Sequence, residues 1–298
     1  MRLSRALACA WALSSLSACS GNLLPPSYLD NLRVLAILAS PLQIVLDPSE
    51  PPPTIALTPV VYPAGSLLTD QQSWSFCPVS AGSITAYACA VTPCPLPSPN
   101  PDGSVVATLA DLASCYPGGS GTPGLPVAGL SSPVETTFTY TVSSVTASGT
   151  ETRVAVLQLP LYLGPLPPGV TPNRPPAFQA VEIGGVTVFP APASPVPPPV
   201  LPNGGSVDVH VVIDPASVDT YLDADGRPQV ETITVDFYAT AGRFASDLAT
   251  GLDNTVALQG TSFTPADLEA GTLEVYLVAL DLRGGQAVVG PVAVAIAP

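Results

Sequence analysis

Proline most restricts what this chain can fold into, with 38 prolines beside 24 glycines among 298 residues. Proline lacks a backbone N–H and clashes with the preceding helical turn, and glycine also weakens a helix. Short strands joined by turns tolerate both residues at edges and in loops. Because 47% of the residues are hydrophobic, the chain can still bury a core. The composition therefore predicts a folded protein made of strands rather than long helices.

Alternation of apolar and polar residues predicts where the strands lie. Period-two patterns run through Thr137–Val142, Val207–Ile213, Ile233–Phe237 and Leu273–Ala279. Residues two apart share one face of a strand, so these patterns predict sheets with one buried and one solvated face. The only helix-like segment is Pro265–Glu269. The fold class that we predict is all-β, with two antiparallel β-sandwich domains, since the length exceeds that of one ordinary domain.

The amino terminus has the pattern of an export signal. Arg2 and Arg5 precede a short apolar run that ends at Ala18, and this run is too short to span a bilayer, which needs ~20 apolar residues. The tetrad Leu16-Ser17-Ala18-Cys19 resembles the lipobox of bacterial lipoproteins. An ordinary leader with a chance cysteine is the alternative, but ordinary cleavage after Ala18 requires a small residue where Leu16 stands.

The resemblance to lipoproteins implies an anchor and a location. It implies cleavage before Cys19, diacylglycerol on the thiol of Cys19, and a further acyl chain such as palmitate on its amine. Two or more acyl chains hold a protein on a membrane stably, whereas one does not. Ser20 stands where aspartate would resemble an inner-membrane retention signal. We therefore expect lipid anchoring in the outer membrane of a Gram-negative bacterium, on a side that the sequence leaves open.

Four further cysteines belong to the exported part: Cys77, Cys89, Cys94 and Cys115. An even number of cysteines in an exported chain predicts disulfides, here two. Three connectivities are open, and we favour Cys77–Cys89 with Cys94–Cys115 because these pairs close successive local loops. A zinc site with four thiolates is the alternative, but the paired C-x2-C spacing typical of such sites is absent from the sequence.

The charge balance excludes one class of partner. Every basic residue is arginine, and the formal net charge is −14. A phosphate backbone would be repelled by such a chain, which also lacks a basic cluster. We therefore predict no nucleic-acid partner.

Short motifs near the carboxyl terminus resemble Ig-like and PKD-like modules of bacterial surface proteins. They are Glu231–Gly242, Thr272–Leu280 and the turn Asp281–Gly285. Phe237 stands where many such modules have tryptophan. The resemblance implies an Ig-like sandwich fold rather than an activity.

These signals together predict the domain organisation. We expect a signal peptide at 1–18, a lipidated tether at 19–31, a disulfide-containing β-sandwich at 32–162, a Pro-rich linker at 163–176 and an Ig-like β-sandwich at 177–298. The linker should be stiff because of its prolines.

Candidate sites are few. His210, the only histidine, shares its strand face with Asp208 and should face solvent, and the motifs of a nucleophile and its base are absent from the sequence. Asp219, Asp223 and Asp225 form a partial calcium pattern, which ordinary turns also produce. Trp74 is a ligand platform or, as we favour, a core residue. The proline tract Pro190–Pro202 is a partner-binding segment or, as we favour, a stiff exposed loop.

The function predicted from these signals is a non-enzymatic binding or structural role at the envelope. The membrane is contacted through the N-terminal lipid, and a protein or a polysaccharide is the expected partner. One alternative is a glycan-active enzyme or its accessory carbohydrate-binding module, which a pocket with two carboxylates ~5–10 Å apart would favour. Another is a calcium-stabilised adhesin. Apart from calcium, we expect no cofactor.

Overall fold

The computed structural model describes residues 26–46, 53–63, 71–82, 85, 87–113, 115, 133–146, 149–168, 170–222, 227–261 and 263–297. These residues form two β-sandwiches whose strand pairs are mainly antiparallel, which confirms the predicted all-β fold.

The N-terminal sandwich is built from eight strands within residues 33–163. In chain order they are β1 (Arg33–Ser40), β2 (Ile44–Leu46), β3 (Thr54–Tyr62), β4 (Gln72–Cys77), β5 (Cys94–Pro95), β6 (Val105–Thr108), β7 (Val134–Thr146) and β8 (Gly149–Leu163). One sheet has the order β1-β3-β6 and the other has the order β2-β8-β7-β4-β5. Alternate residues from the facing sheets, such as Leu57 and Phe138, fill one core and are fully buried. Trp74 belongs to this core, as we favoured, and its indole N–H donates to the carbonyl of Gly103 at 2.8 Å.

The C-terminal sandwich lies within residues 178–297. Its strands are β9 (Phe178–Ile183), β10 (Val186–Phe189), β11 (Val200–Pro202), β12 (Ser206–Ile213), β13 (Thr220–Leu222), β14 (Pro228–Val230), β15 (Thr234–Ala239), β16 (Arg243–Phe244), β17 (Leu248–Thr250), β18 (Asp253–Gln259), β19 (Thr272–Leu280) and β20 (Gln286–Ala297). The two facing sheets have the orders β10-β9-β12-β18-β16 and β11-β20-β19-β15-β17, and β13 pairs with β14 apart from them. Phe237 is fully buried in the core between the two sheets.

The two sandwiches pack against each other through β1 and β19. Leu35 and Ala36 of β1 pack against Tyr276 and Val278 of β19 in a separate buried cluster. The prediction that Tyr276 and Val278 lie on a solvated face is therefore wrong, because Tyr276 is 2% exposed and Val278 is fully buried. A strand that is covered on both faces needs a nearly continuous apolar run.

Two short helices are present in the described residues besides a 3-10 turn at Pro215–Ser217. Helix α2 (Pro265–Ala270) matches the predicted helical segment, whereas α1 (Leu109–Ala113) contradicts the expectation of a single one. Both begin with a threonine followed three residues later by aspartate: Thr108 bonds reciprocally with Asp111, and Thr264 with Asp267. This reciprocal bonding is a capping box, and it stabilises even a short helix start.

The proline tract is an exposed loop over residues 191–198. Its end differs from the prediction, because Val200–Pro202 forms β11 and runs parallel to the end of β20. Here the proline lies at the edge of the sheet, where its missing N–H costs no ladder bond.

The first described residues attach to the C-terminal sandwich, although they precede the N-terminal one. The N–H of Leu29 donates to the carbonyl of Ala239 at 2.8 Å, and the N–H of Ala239 donates to the carbonyl of Ser27 at 2.9 Å. The hydroxyl of Ser27, which is 3% exposed, donates to Asp247 at 2.5 Å. Three contacts thus hold the end of the predicted tether.

Candidate functional site

A cleft of about 420 Å³ lies where the two sandwiches meet, and both sandwiches supply its walls. Its N-terminal wall is the outer face of the β7–β8 hairpin. Glu135 pairs with Pro160 across the two strands, and Thr137 pairs with Gln158. Since alternate residues share a face, Glu135, Gln158, Pro160 and Tyr162 line the cleft while Leu159 and Leu161 point into the core.

Tyr87 lines the same cleft from a loop closed by a disulfide. The bond Cys77–Cys89 joins the end of β4 to this loop, and the N–H of Ser80 donates to the carbonyl of Glu135 at 3.1 Å. Tyr87 has a φ of 58°, a left-handed backbone angle that residues other than glycine, asparagine and aspartate rarely adopt. Such a conformation costs about 1–3 kcal/mol and persists only where the surrounding structure enforces it.

The β19–β20 turn supplies the opposite wall. Leu282 has a φ of 63° and exposes 75% of its side chain to the cleft and solvent. Gly284 touches the other sandwich so closely that a Cβ atom would lie 2.6 Å from the carbonyl oxygen of Gln158. In the part of the chain that the structure describes, Tyr87 and Leu282 are the non-glycine residues with positive φ, and both line this cleft.

Buried polar groups fix the turn and the linker beneath the cleft. Asp281 accepts from the N–H groups of Arg283 and Gly285 at 2.7 and 2.8 Å and from the side-chain amide of Asn173 at 3.1 Å. The N–H of Asn173 donates at 3.2 Å to Gln43, which belongs to the N-terminal sandwich. Asn173 is 7% exposed and lines the cleft, and its Oδ1 has no hydrogen-bond partner among the described residues.

Arg283 is held on two sides. Its guanidinium donates at 2.6 Å to Glu231, whose side chain is fully buried, and lies 4.7 Å from the ring centre of Tyr221. Burial raises the pKa of Glu231, and burial likewise raises the pKa of Asp281 despite the bonds that this carboxylate accepts. The positive charge of Arg283 is therefore largely neutralised by the buried carboxylate of Glu231.

The environment of the cleft also changes the pKa of two residues that line it, Glu135 and Tyr162. Desolvation raises the pKa of Glu135. Desolvation raises the pKa of Tyr162 as well, while the nearby charge of Arg283 lowers it and that of Glu135 raises it. Glu135 and Arg283 are the two charged residues among those that line this cleft.

The predicted calcium ligands are only partly described. Asp219 is buried, and its two carboxylate oxygens accept from the backbone N–H and the guanidinium of Arg174. Asp223 and Asp225 lie outside the described residues, so the calcium site stays a prediction. Within the described ranges, no group of three or more His, Cys, Asp and Glu side chains could hold a metal ion.

His210 lies on the outer face of β12, as predicted. Its Nε2 is 2.9 Å from Asp253 and its Nδ1 is 3.9 Å from Glu182, both on neighbouring strands. These partners are carboxylates on a flat sheet face, and His210 lines none of the described clefts.

Two other clefts are lined by the N-terminal sandwich together with the segments that flank it in the chain. One of about 540 Å³ has two carboxylates in its wall, Asp30 and Glu151. Both oxygens of Glu151 are engaged, by the guanidinium of Arg153 and by the N–H of Leu32. The other, of about 330 Å³, is lined by β1–β2 and the linker and has no carboxylate among its lining residues.

Both predicted disulfides are present, as Cys77–Cys89 and Cys94–Cys115, the pairing that we favoured. Cys19 and the rest of the predicted signal peptide lie outside the described residues. Among the residues described, no helix is both long and apolar enough to cross a membrane.

Comparisons with known proteins give no family. No protein-family model matches the chain, and no curated protein matches it. Among solved structures, it is similar to fibronectin(III)-like modules of CbhA from Clostridium thermocellum, at 9% identity over 89% of this chain and 93% of that chain, with a TM-score of 0.22. A protein of unknown function from Porphyromonas gingivalis W83 is 12% identical over 88% of this chain and 99% of that chain, with a TM-score of 0.18.

Sequence reasoning missed the junction cleft. Its tyrosines lie far apart in the chain, at positions 87, 162 and 221, and only the stacking of the sandwiches brings them together. The one local signal was the turn Asp281–Gly285, which the resemblance to Ig-like modules had singled out as a structural feature.

Proposed function

We propose that the protein is a lipid-anchored lipoprotein of the bacterial outer membrane with a non-enzymatic binding or structural role at the cell envelope. The observation that carries the non-enzymatic part is the chemistry of the described clefts. The junction cleft has one carboxylate, Glu135, and the second cleft pairs the exposed Asp30 with Glu151, whose oxygens are both engaged. General acid–base hydrolysis of a glycan needs two free carboxyl groups facing each other, so this chemistry favours binding.

The tether contacts support a definite arrangement of the anchor. Cys19 precedes Ser27 by eight positions, and an extended chain spans at most ~3.6 Å per residue, so a lipid on Cys19 would lie within about 29 Å of Ser27. Ser27 is bonded to Ala239 and Asp247 of the C-terminal sandwich. The proposed anchor would then lie close to the place where the tether is bonded to the C-terminal sandwich.

The anchor is tested by metabolic labelling with radioactive palmitate and by membrane fractionation in a Gram-negative host. Wild-type protein should take up label and sediment with outer membranes. Cys19→Ala should take up none and appear in the soluble fraction. Cys9→Ala is the matched control, because Cys9 belongs to the predicted leader and its loss should leave labelling unchanged.

Two outcomes would contradict the proposal. Label on Cys19→Ala would place the lipid elsewhere, and full membrane retention of that variant would show that lipid is not what holds the protein. The mature amino terminus, read by mass spectrometry, provides an independent measurement of the cleavage site.

A further inference from the structure

We propose that the junction cleft is a binding site for a short uncharged saccharide, with Tyr87 and Tyr162 as stacking surfaces and Glu135 and Gln158 as hydroxyl-binding groups. The inference rests on the binding role proposed above and names the ligand class of this site.

Size and position fit a small-molecule site. The cleft volume of about 420 Å³ lies within the ~300–1,000 Å³ typical of ligand pockets, which occur preferentially where domains meet. Three half-buried tyrosines line the cleft, and each combines an aromatic ring with a hydroxyl. This combination of an apolar body and a polar tip suits a ligand whose own faces are apolar and whose rim is polar. A sugar ring has C–H faces and hydroxyl edges of this kind.

The charge of the site argues against an anionic ligand. The two charged lining residues, Glu135 and Arg283, have opposite signs, and the guanidinium of Arg283 is already bonded to Glu231. An anion would also face the net charge of −14 of the whole chain. Sugar hydroxyls both donate and accept, which the Gln158 amide, the tyrosine hydroxyls and the Glu135 carboxylate can match.

Strain and an unsatisfied group are concentrated at the same place. Tyr87 and Leu282 both have a left-handed backbone conformation, and both line this cleft. Strained residues cluster at ligand clamps because the strain fixes a side chain that packing alone would place elsewhere. Leu282 is the most exposed of the large hydrophobic side chains that the structure describes. The Oδ1 of Asn173, a residue that also lines the cleft, is buried and has no hydrogen-bond partner among the described residues.

The cleft is also preformed. The close approach of Gly284 to Gln158 and the hydrogen bond between Asn173 and Gln43 tie its two walls together. A rigid site loses little freedom when a ligand binds, and this raises affinity for a small ligand.

The test uses the full natural lipoprotein, extracted in a detergent without a sugar headgroup so that the detergent cannot occupy the site. Isothermal titration calorimetry is run with chitotetraose, cellotetraose, maltotetraose, xylotetraose and mannotetraose, each to millimolar concentration. We expect at least one of these to bind at a single site. Tyr162→Ala and Glu135→Gln should each weaken that binding by about tenfold or more.

Leu282→Asn separates binding from folding. Asparagine tolerates the left-handed backbone better than leucine, so Tm should stay the same or rise while the affinity falls. Leu248→Asn is the matched control, because Leu248 is 52% exposed on β17, outside the cleft, and its change should leave affinity unaltered.

Absence of binding by every tetrasaccharide, or binding that the three cleft variants leave unchanged, would overturn the proposal. A competition experiment with an envelope extract could also overturn it. If protease treatment of the extract abolishes competition and periodate oxidation of its sugars does not, the ligand is a polypeptide. Chromatography of the recovered sugar separates this inference from the proposed function. Cleaved sugar would refute the non-enzymatic role and leave the site, whereas absent binding would refute the site and leave the anchored structural role.

Discussion

The side-chain oxygen of Gln286 accepts a hydrogen bond from the backbone N–H of Ile37 at 2.8 Å, and the two residues belong to different sandwiches. Ile37 is 2% exposed on β1, and Gln286 begins β20. A buried N–H at the edge of a sheet must find a partner, and here the partner comes from 249 positions away. The stacking of the two sandwiches is therefore specified by polar as well as apolar contacts.

Gln286→Ala should destabilise the protein by about 1–3 kcal/mol, because it leaves the Ile37 N–H buried without an acceptor. Urea denaturation measures the change. Gln179→Ala is the control, since Gln179 is exposed on β9 and its change should cost less than about 0.5 kcal/mol. Equal stability of the two variants would mean that water replaces the lost acceptor and that the bond does not join the sandwiches.

Tyr276 is the largest of the buried side chains in the apolar contact between the sandwiches. Its ring meets that of Tyr62 edge to face at 6.0 Å, and its hydroxyl donates to Glu274 at 2.9 Å. Tyr276→Ala should cost about 3–5 kcal/mol through the cavity that it leaves, whereas Tyr276→Phe should cost about 1 kcal/mol for the lost hydrogen bond.

The denaturation profile of Tyr276→Ala carries a second expectation. Since the cores of the two sandwiches are otherwise separate, loss of the contact between them should split one cooperative transition into two. Differential scanning calorimetry measures this. Val145→Ala, at a residue 70% exposed on β7, should keep the wild-type profile. A single unshifted transition for Tyr276→Ala would contradict coupling through this cluster.

The sequence predicted the fold class better than the site because the two depend on different information. Alternation along one strand suffices to identify β7 over Thr137–Val142, whose alternate residues Phe138, Tyr140 and Val142 are fully buried. The stacking of Tyr276 and Val278 against Leu35 needs a partner 240 positions away, and no local periodicity encodes that pairing.

The candidate site could not be predicted from the sequence for the same reason. Its lining comes from the disulfide loop, the β7–β8 hairpin, the linker, β13 and the β19–β20 turn. Only the packing of the two sandwiches against each other brings these segments together. Asp219 and Asp281 read in the sequence as ordinary turn residues. In the structure they hold Arg174 and the turn beneath the cleft.

Removing one partner of the ion pair between Arg283 and Glu231 should destabilise the fold strongly. Arg283→Ala leaves the fully buried Glu231 carboxylate without its cation, so we expect a loss of about 3–5 kcal/mol. Combining it with Glu231→Gln removes the unpaired charge, and the double variant should be more stable than Arg283→Ala alone. Chemical denaturation of the three variants completes a double-mutant cycle. A double variant less stable than the single one would show that the Glu231 carboxylate is held mainly by other partners.

Stability should fall as the pH rises from about 4 towards neutrality, opposite to the trend of proteins whose carboxylates are stabilised by folding. Burial raises the pKa of Asp236, Glu231 and Asp281. The folded state therefore holds protons on these groups more tightly than the unfolded state does. Their contribution to stability is complete below the ordinary carboxyl pKa and is lost as the pH rises through the raised values.

Two carboxyl groups oppose this trend. Hydrogen bonds from Ser104 lower the pKa of Asp102, and bonds from Thr108 lower that of Asp111. Both lie at the solvent-facing surface, where such effects on stability are small. Mutual repulsion of the excess acidic groups adds to the destabilisation at neutral pH, since the net charge of −14 develops as they ionise.

Calorimetric Tm values between about pH 4 and pH 7 test this expectation, and Asp236→Asn isolates one contributor. The Asn variant cannot ionise, so its Tm should fall less over this range than that of the wild type. Asp208→Asn is the matched control, because Asp208 is exposed on β12 and the same substitution there should leave the slope unchanged. A wild-type Tm that rises with pH, or an Asp236→Asn slope equal to that of Asp208→Asn, would mean that these carboxyl groups regain water through local openings of the folded state.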